Sequence, residues 1–559
     1  MDRREFLTLN QGKTTAVPQS YAGIRQIFSG LNPYSGPWTA REVAHLLKRT
    51  QFGAKKSDID YFKALTPSQA VDELLTIPAT PPAPPVKNYD NNGIPATDPD
   101  YAIAQGQTWV NTFSTDGTVN SRRVVSLKAW WLGLMVNQDR NILEKLTLFW
   151  HNHFSTEAIE YGIGAWGHQH SNLFRQYALG NFKAMVRAVT LDQAMLRYLN
   201  GYLNTNTAPD ENYSRELQEL LTLGKENNPN YTEDDVKAAA RVLTGWRINN
   251  TNGSVFFDLN RHDTNNKTFS SFFGNTVITG RNSADAGNLE LDDLLNMIFS
   301  KSVEVSEFIV KRLYTWLCYY TIDANTETTV IKPLAQIFRD NNWEIKPVLS
   351  ALLKSDHFFD PLNQGCLIKS PIELLIGLCR EFNVVFPDST DYVSAYNMWN
   401  YLRNQSATMQ QNLADPPSVS GWPAYYQVPQ FYEMWINSDT LPKRNRWTDT
   451  LIGNGFTQNG NKLVIDAVAF TKTLSNPGDP NLLINDALDI LYRVPLSDAS
   501  KQIIKEQILL GNQAQDYYWT NAWMGHIANP ADAAAYNIVN TRLKDLYKYL
   551  MNLAEYQLA

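Results

Sequence analysis

The sequence predicts a mainly α-helical protein, a large multi-helical body with a small β-hairpin insertion. Three observations carry this. Apolar residues recur at helical spacing through 121–248 and 288–358 with few interruptions. Several helical stretches open on a Ser or Thr followed three residues later by a carboxylate or Gln, the spacing at which both side chains satisfy orphan backbone N–H groups. Strand-like runs are confined to about 250–280. Hydrophobic residues make up 43% of the 559, ample material for a core.

In chain order, 1–38 reads as an extended N-terminal arm and 39–450 as a helical core domain. Thr39 and Glu42 cap a first helix, with Val43, Leu46 and Leu47 on one face and Gly53 at its end. A second helix begins at Thr66-Pro67 with Gln69 as capping partner. Residues 79–120 form a Pro/Asn/Asp/Gly-rich polar insertion, stiffened at its entry by Pro81-Pro82-Ala83-Pro84-Pro85. Thr232-Glu233-Asp234-Asp235 opens the last helix of the 121–248 run. Strand candidates 254–257, 267–269 and 276–278 follow an Asn252-Gly253 turn. Ser370-Pro371-Ile372-Glu373 opens another helix. Residues 411–445 read as an aromatic, proline-rich loop, and 451–559 as a C-terminal helical region packed on the core.

Charge and cysteine usage exclude several classes. Lys+Arg 49 against Asp+Glu 56 gives a net charge of −7, which argues against a dedicated nucleic-acid binder. Three scattered cysteines exclude a disulfide scaffold and any Cys-x-x-Cys motif. No apolar run is long enough for a transmembrane helix. Asp2-Arg3-Arg4-Glu5-Phe6-Leu7 is similar to a twin-arginine export signal, but Thr8-Leu9-Asn10-Gln11-Gly12-Lys13 is polar where such a signal needs an apolar stretch.

Histidines give the first chemical candidates. His151, His153, His168 and His170 fall within twenty residues. His151 and His153 have a metal-ligand spacing if the backbone is extended. In a helix they diverge by about 200° and cannot share one ion. The alternative is a hydrogen-bonded core histidine. His168 and His170 are expected on the surface. His262-Asp263 is a further candidate ligand pair for a divalent metal. His45, His357 and His526 read as structural.

The helix after Pro209 gives the second candidates. Glu216 and Glu219 lie one turn apart, with Arg215 beside them, and suit general acid/base work. The alternative is a solvated face, or an Arg–Glu lock between helices to which Arg241 adds an arm. Tyr425, Tyr426, Phe431, Tyr432, Trp435 and Trp447 form either a sugar- or partner-binding surface or a lid pinned to the core. Gly162-Ile163-Gly164-Ala165-Trp166-Gly167 fits a dinucleotide fingerprint only formally, because no strand precedes it. Asn88–Gly93 is half a calcium loop without flanking helices. Phosphate-loop, Gly-x-Ser-x-Gly and His-Glu-x-x-His signatures are absent.

An ordered series of motifs runs through the chain. It comprises His45-Leu46-Leu47, Phe149-Trp150-His151-Asn152-His153-Phe154, Glu211-Asn212-Tyr213-Ser214-Arg215-Glu216-Leu217, Ala239-Ala240-Arg241-Val242-Leu243-Thr244-Gly245-Trp246, Lys369-Ser370-Pro371 and Pro416-Pro417-Ser418-Val419-Ser420-Gly421-Trp422-Pro423. Over roughly 39–450 the chain resembles the bacterial domain of unknown function 1800 family. The resemblance implies a bacterial protein often found beside a sulfatase-like protein, with no established reaction. It implies a periplasmic or exported location, or a cytoplasmic one if the degenerate N-terminal signal is inactive.

Two readings follow. In one, His151, His153, His262 and Asp263 hold a divalent metal, and Arg215, Glu216 and Glu219 assist hydrolysis of a glycan or ester. In the other, the chain is a non-catalytic partner or scaffold for the sulfatase-like protein. The same residues are then sealed salt-bridge groups, and the aromatic loop docks the partner.

Overall fold

The computed structural model describes residues 27–224 and 231–559. The Asp2–Leu7 stretch and the first part of the N-terminal arm lie outside the described residues. The protein is mainly α, with three small two-stranded antiparallel sheets among the described residues.

Local sequence sets the helix starts. In α1 (Ala40–Thr50) the Thr39 hydroxyl accepts from Arg41 N, and Glu42 accepts from Thr39 N at 3.0 Å. Reciprocal caps also open Pro67–Leu74, Glu233–Val242 and Pro371–Glu381. One helix, Lys56–Lys63, was not expected; its N-cap is Lys55, which has no oxygen to offer, so no start signal is written there.

Two long helices, α2 (Gly117–Val136) and α7 (Tyr392–Thr408), pack along each other. Gly133 lets the Trp399 ring approach its backbone. Between them in sequence lie α3 (Leu143–His153), α4 (Gly164–Tyr177), α5 (Ser302–Leu317) and α6 (Pro371–Glu381). At the end of the 39–450 segment lies α8 (Thr440–Ile452), which packs on α9 (Ala533–Asn552) of the tail. Because α8 starts at Thr440, the aromatic loop is shorter than its expected span. The hydrophobic core is contiguous from Val43 to Tyr556, so tail residues join the same core as α1.

The first hairpin pairs β1 (Trp246–Ile248) with β2 (Val255–Phe257), Arg247 opposite Phe256. The Asn252-Gly253 turn therefore joins these two strands, and 246–248 is strand rather than helix. β3 (Lys267–Thr268) pairs with β4 (Val277–Ile278). A third hairpin, β5 (Phe456–Gln458) with β6 (Asn461–Leu463), lies in the tail, where only helix was expected.

Buried charges tie distant segments together. The 79–120 insertion is fastened by Asp100, fully buried, which pairs with Lys87 at 3.0 Å and Arg123 at 2.8 Å. Lys48 of α1 pairs with Glu381 of α6, and the Tyr556 hydroxyl donates to the other Glu381 oxygen at 3.3 Å. Arg444 of α8 donates to Gln557 Oε1 at 2.7 Å and to the Lys369 carbonyl at 2.9 Å. The last residues are drawn in as well, with Ala559 N donating to Leu367 O at 2.8 Å.

Glu381→Ala should strand the Lys48 ammonium in the interior. Loss of one member of a buried pair costs about 3–5 kcal/mol. Urea unfolding followed by circular dichroism should show the midpoint falling with little change in slope. An unchanged midpoint would mean that Lys48 finds another partner or deprotonates at no cost.

Candidate functional site

The α3 sequence places both His151 and His153 inside a helix, so their rings leave it in different directions. His151 is sealed among aromatic rings, with Trp131 at 5.4 Å, Trp422 at 6.0 Å and His170 at 6.1 Å between centroids. Its Nδ1 has no hydrogen-bond partner among the described residues. Burial, then the neighbouring His170 and Lys128, hold its pKa well below the ordinary histidine range. His153 points the other way and bonds the Leu221 carbonyl through Nε2 at 3.1 Å. That carbonyl belongs to the last turn of the helix that runs through Asn212–Glu216 and the π-helical Leu217–Thr222, where carbonyls lack intrahelical donors. Burial and Arg312 push the His153 pKa down to about 3.

His168 and His170 are buried, contrary to expectation. The face of α4 that carries them packs on α3 and α2. His170 Nδ1 lies 2.8 Å from Asp192 Oδ2, and His168 Nε2 lies 3.1 Å from Asn172 Nδ2. The polarity of two histidines suggested a surface face; ring packing and these bonds offset their burial.

His262 and Asp263 belong to a separate network. His262 Nε2 lies 3.1 Å from Glu290 Oε1, and its Nδ1 lies 3.0 Å from the Thr244 carbonyl. Glu290 also takes Lys267 at 2.5 Å. Asp263 accepts from Arg241 Nε at 2.6 Å and from Asn265 N at 2.9 Å, and its pKa falls to about 2. Burial works against that fall, and the hydrogen bonds from Arg241 and Asn265 outweigh it.

His151, His153, His262 and Asp263 therefore do not converge. No group of three or more His, Cys, Asp or Glu side chains has metal-holding geometry among the described residues. Arg215 makes an Arg–Glu lock, but with Glu233 at 2.7 Å and Glu211 at 3.0 Å rather than with Glu216 or Glu219. Arg241 belongs to the Asp263 network and is no arm of that lock. Glu216 and Glu219 are half-buried, and after burial itself their charges help to raise the hydroxyl pKa of Tyr231.

The residues that do line a cavity are others. A small cleft with only about 20 Å³ of free room is walled by Phe149, Asn152, His153, Leu220, Arg312, Thr315, Trp316, Ser420 and Tyr425. Four chain segments meet here: the end of α3, the Leu217–Thr222 turn, the last turns of α5, and the loop 416–425. The loop is locked to α3 at one point. Trp422 N donates to Asn152 Oδ1 at 2.9 Å. Gly421 has φ +91°, and a Cβ there would lie 2.6 Å from the Asn152 backbone oxygen, so only glycine fits. Trp422 is buried, and the Tyr425 ring lies tilted against Trp316 with centroids 4.3 Å apart. This part of the aromatic loop is pinned to the core.

Beyond the cleft the aromatic residues become half-exposed. Tyr320 stacks on Phe431 at 4.8 Å, and Tyr432 lies 5.0 Å from Tyr320. From Gly421 to Ile436 the only charged residue is Glu433.

Of the cleft residues, only His153 was named as a candidate ligand. Arg312, Thr315 and Trp316 sit on α5, whose sequence reads as an ordinary amphipathic helix. Asn152 and Ser420 stand inside motifs, and that was the one available signal.

These features define a class: a large, mainly α protein in which two of the quoted motifs, 149–154 and 416–423, meet at one small polar-aromatic cleft. The chain belongs to the family described as protein of unknown function (DUF1800), whose model matches residues 45–558. The match reaches past 450 into the tail, further than the motifs quoted from the sequence. No curated protein and no solved structure matches the chain. No described helix is long and apolar enough to cross a membrane.

Two tests follow from this geometry. Gly421→Ala should unseat the 416–425 loop, at a cost of about 1–3 kcal/mol, seen as a lower melting temperature and a red shift of tryptophan emission. An unshifted melt would show that the loop tolerates a side chain there. The second test concerns His153. Its folded pKa of about 3 lies below the ordinary 6.5, so on acidification the unfolded chain takes up the proton first. The stability this group contributes is full above about pH 6.5 and is lost as pH falls toward 3. His153→Gln should remove up to about 1.4 kcal/mol per pH unit from the acid slope in that window. Urea midpoints measured from pH 7 to 4 would show it, and an identical slope in the variant would refute it.

Proposed function

We propose that the protein is a non-catalytic partner or scaffold, and that its half-exposed aromatic face, Tyr319, Tyr320, Phe431 and Tyr432, docks the sulfatase-like protein that the family resemblance implies. The observation that supports this is the state of the ionisable residues. An enzyme of the expected kind needs its histidines and carboxylates gathered at one solvent-reachable cavity. Here His151, the His262–Glu290–Lys267 group and the Arg215–Glu233 pair occupy separate places, and their charges are largely neutralised within the protein. Aromatic side chains with almost no charge beside them suit a protein interface.

Co-expression with the neighbouring sulfatase-like protein tests the reading. The pair should co-elute in size-exclusion chromatography, and Tyr320→Ala/Phe431→Ala should weaken the complex about tenfold or more while leaving the circular dichroism unchanged. A complex that survives the double variant, or none with the native chain, would overturn it.

The metal-dependent hydrolase of a glycan or ester remains a second reading, favoured by one observation: His153 lines the cleft beside Ser420 and Arg312. Elemental analysis of the native protein against His151→Ala/His153→Ala should find no stoichiometric metal in either. Metal present in the native protein and lost from a folded double variant would favour the hydrolase.

A further inference from the structure

The cleft at Asn152 is nearly filled, with space for about one water. Room of another order lies along α8. A broad open groove of about 540 Å³ is walled by α8 residues between 442 and 450 and by the turn 453–455. Its charges are unbalanced. Arg446 lines the groove, is exposed, and makes no ion pair or side-chain hydrogen bond among the described residues. Lys462 of β6, exposed and likewise unpaired among them, passes beside Gly455: its Cε lies 3.1 Å from where a Cβ on that glycine would stand. Lys544 of α9 donates to the Gly453 carbonyl at 2.8 Å. The carboxylate that lines the groove, Asp449, is already held from α9, by Lys548 at 3.4 Å and by the Asn552 amide at 2.8 Å. Four basic side chains thus border the groove against Asp449 and, one residue beyond Lys544, Asp545. In a chain of net charge −7 this is a local reversal of sign.

The negative pole of α8, which would otherwise oppose an anion, is largely covered. Asp449 O accepts from Gly453 N at 3.0 Å, Thr450 O from Gly455 N at 2.8 Å and Leu451 O from Ile465 N at 2.8 Å. The uncharged groups of the groove narrow the class of anion. No aromatic ring lines it among the described residues, so neither a sugar ring nor a nucleic-acid base has a flat surface to rest on. The Thr450 hydroxyl and the Asn454 amide make no side-chain hydrogen bond among the described residues. Between them they offer donors and acceptors, which a peptide backbone uses in alternation.

We propose that this groove receives an acidic, extended peptide segment of a partner protein, its carboxylates on Arg446 and Lys462 and its backbone on Thr450 and Asn454. The guanidinium fork of Arg446 is matched to a carboxylate, and Lys462 adds a second point of charge across the Gly455 turn. The groove shares no residue with the Tyr319–Tyr320–Phe431–Tyr432 docking face, so either assignment can fail without the other.

Fluorescence anisotropy of a dye-tagged hexa-glutamate peptide titrated with the full chain is the test, with hexa-serine and hexa-lysine peptides run alongside. The acidic peptide alone should bind, and raising the salt should weaken it. Arg446→Glu/Lys462→Glu, a reversal at two exposed positions, should lose about tenfold or more in affinity with the melting temperature unmoved. Asn454→Asp, one exposed turn residue, should lose severalfold, which keeps the test decisive if the double variant fails to fold. Absence of binding, equal binding of hexa-serine, full affinity in either folded variant, or easier displacement by tri-galacturonic acid than by untagged hexa-glutamate would each overturn the assignment.

Discussion

The desolvation of charge is the constraint on which the rest of this structure depends. Lys48, Glu381, Lys369, Arg444 and Arg493 are all within a few per cent of complete burial. A buried ion persists only where hydrogen bonds replace its water. Those bonds reach across the whole chain. Glu381 accepts from Lys48, 333 residues earlier, and from Tyr556, 175 residues later. Arg493 donates to the Arg41 carbonyl at 2.5 Å. Lys369 lies 3.9 Å from the Tyr556 ring centre, and burial first, then repulsion from Lys48, holds its pKa far below that of a free lysine. The tail belongs to the core because these groups require it there. Removing it would take away Tyr556 and Gln557, leaving Glu381 short of a donor and Arg444 short of an acceptor.

The same constraint governs the histidines. Burial disfavours the imidazolium, so His45, His151 and His153 all have depressed pKa values and pack as neutral rings against other rings. A neutral ring can be a metal ligand or a core filler, and the sequence does not say which. The helix decides it for His151 and His153. At 100° per residue the two rings separate, one toward α2 and α4, the other toward α5. His262 sits beside a carboxylate that Lys267 already neutralises, a closed charge balance with nothing left for a cation to satisfy.

Local signals were legible and tertiary ones were not. The capping boxes at Thr39, Thr66, Thr232 and Ser370 depend on three-residue spacings, and all four stand in the structure as written. Lys56–Lys63 escaped notice because its start lacks a side-chain cap. Arg215 was recognised as a lock residue, but its main partner, Glu233, starts another helix and cannot be told from Glu216 or Glu219 by spacing. The outward reading of His168 and His170 failed for a related reason. Nothing in α4 itself reveals that Asp192 waits beyond its C-terminal end to receive a ring N–H. The cleft was least legible of all, since Asn152, Arg312 and Ser420 are spread over almost half the chain.

What sets the cleft apart is how its polar groups are satisfied. Around Glu381, Asp100 and Glu290, ionic groups face opposite charges, which rigidifies a structure but leaves little with which to hold a ligand. Asn152, Thr315 and His153 are different. Each is oriented by one bond to the protein, to Trp422 N, the Lys311 carbonyl and the Leu221 carbonyl respectively, and each keeps a second polar function. A side chain fixed by one bond and open at another is pre-organised, because it need not be ordered again when something binds. Gly421 makes this arrangement available by letting the loop backbone close on Asn152. The wall it completes is rigid on the protein side and half-satisfied on the solvent side, and among the networks traced through this fold only this one has that character.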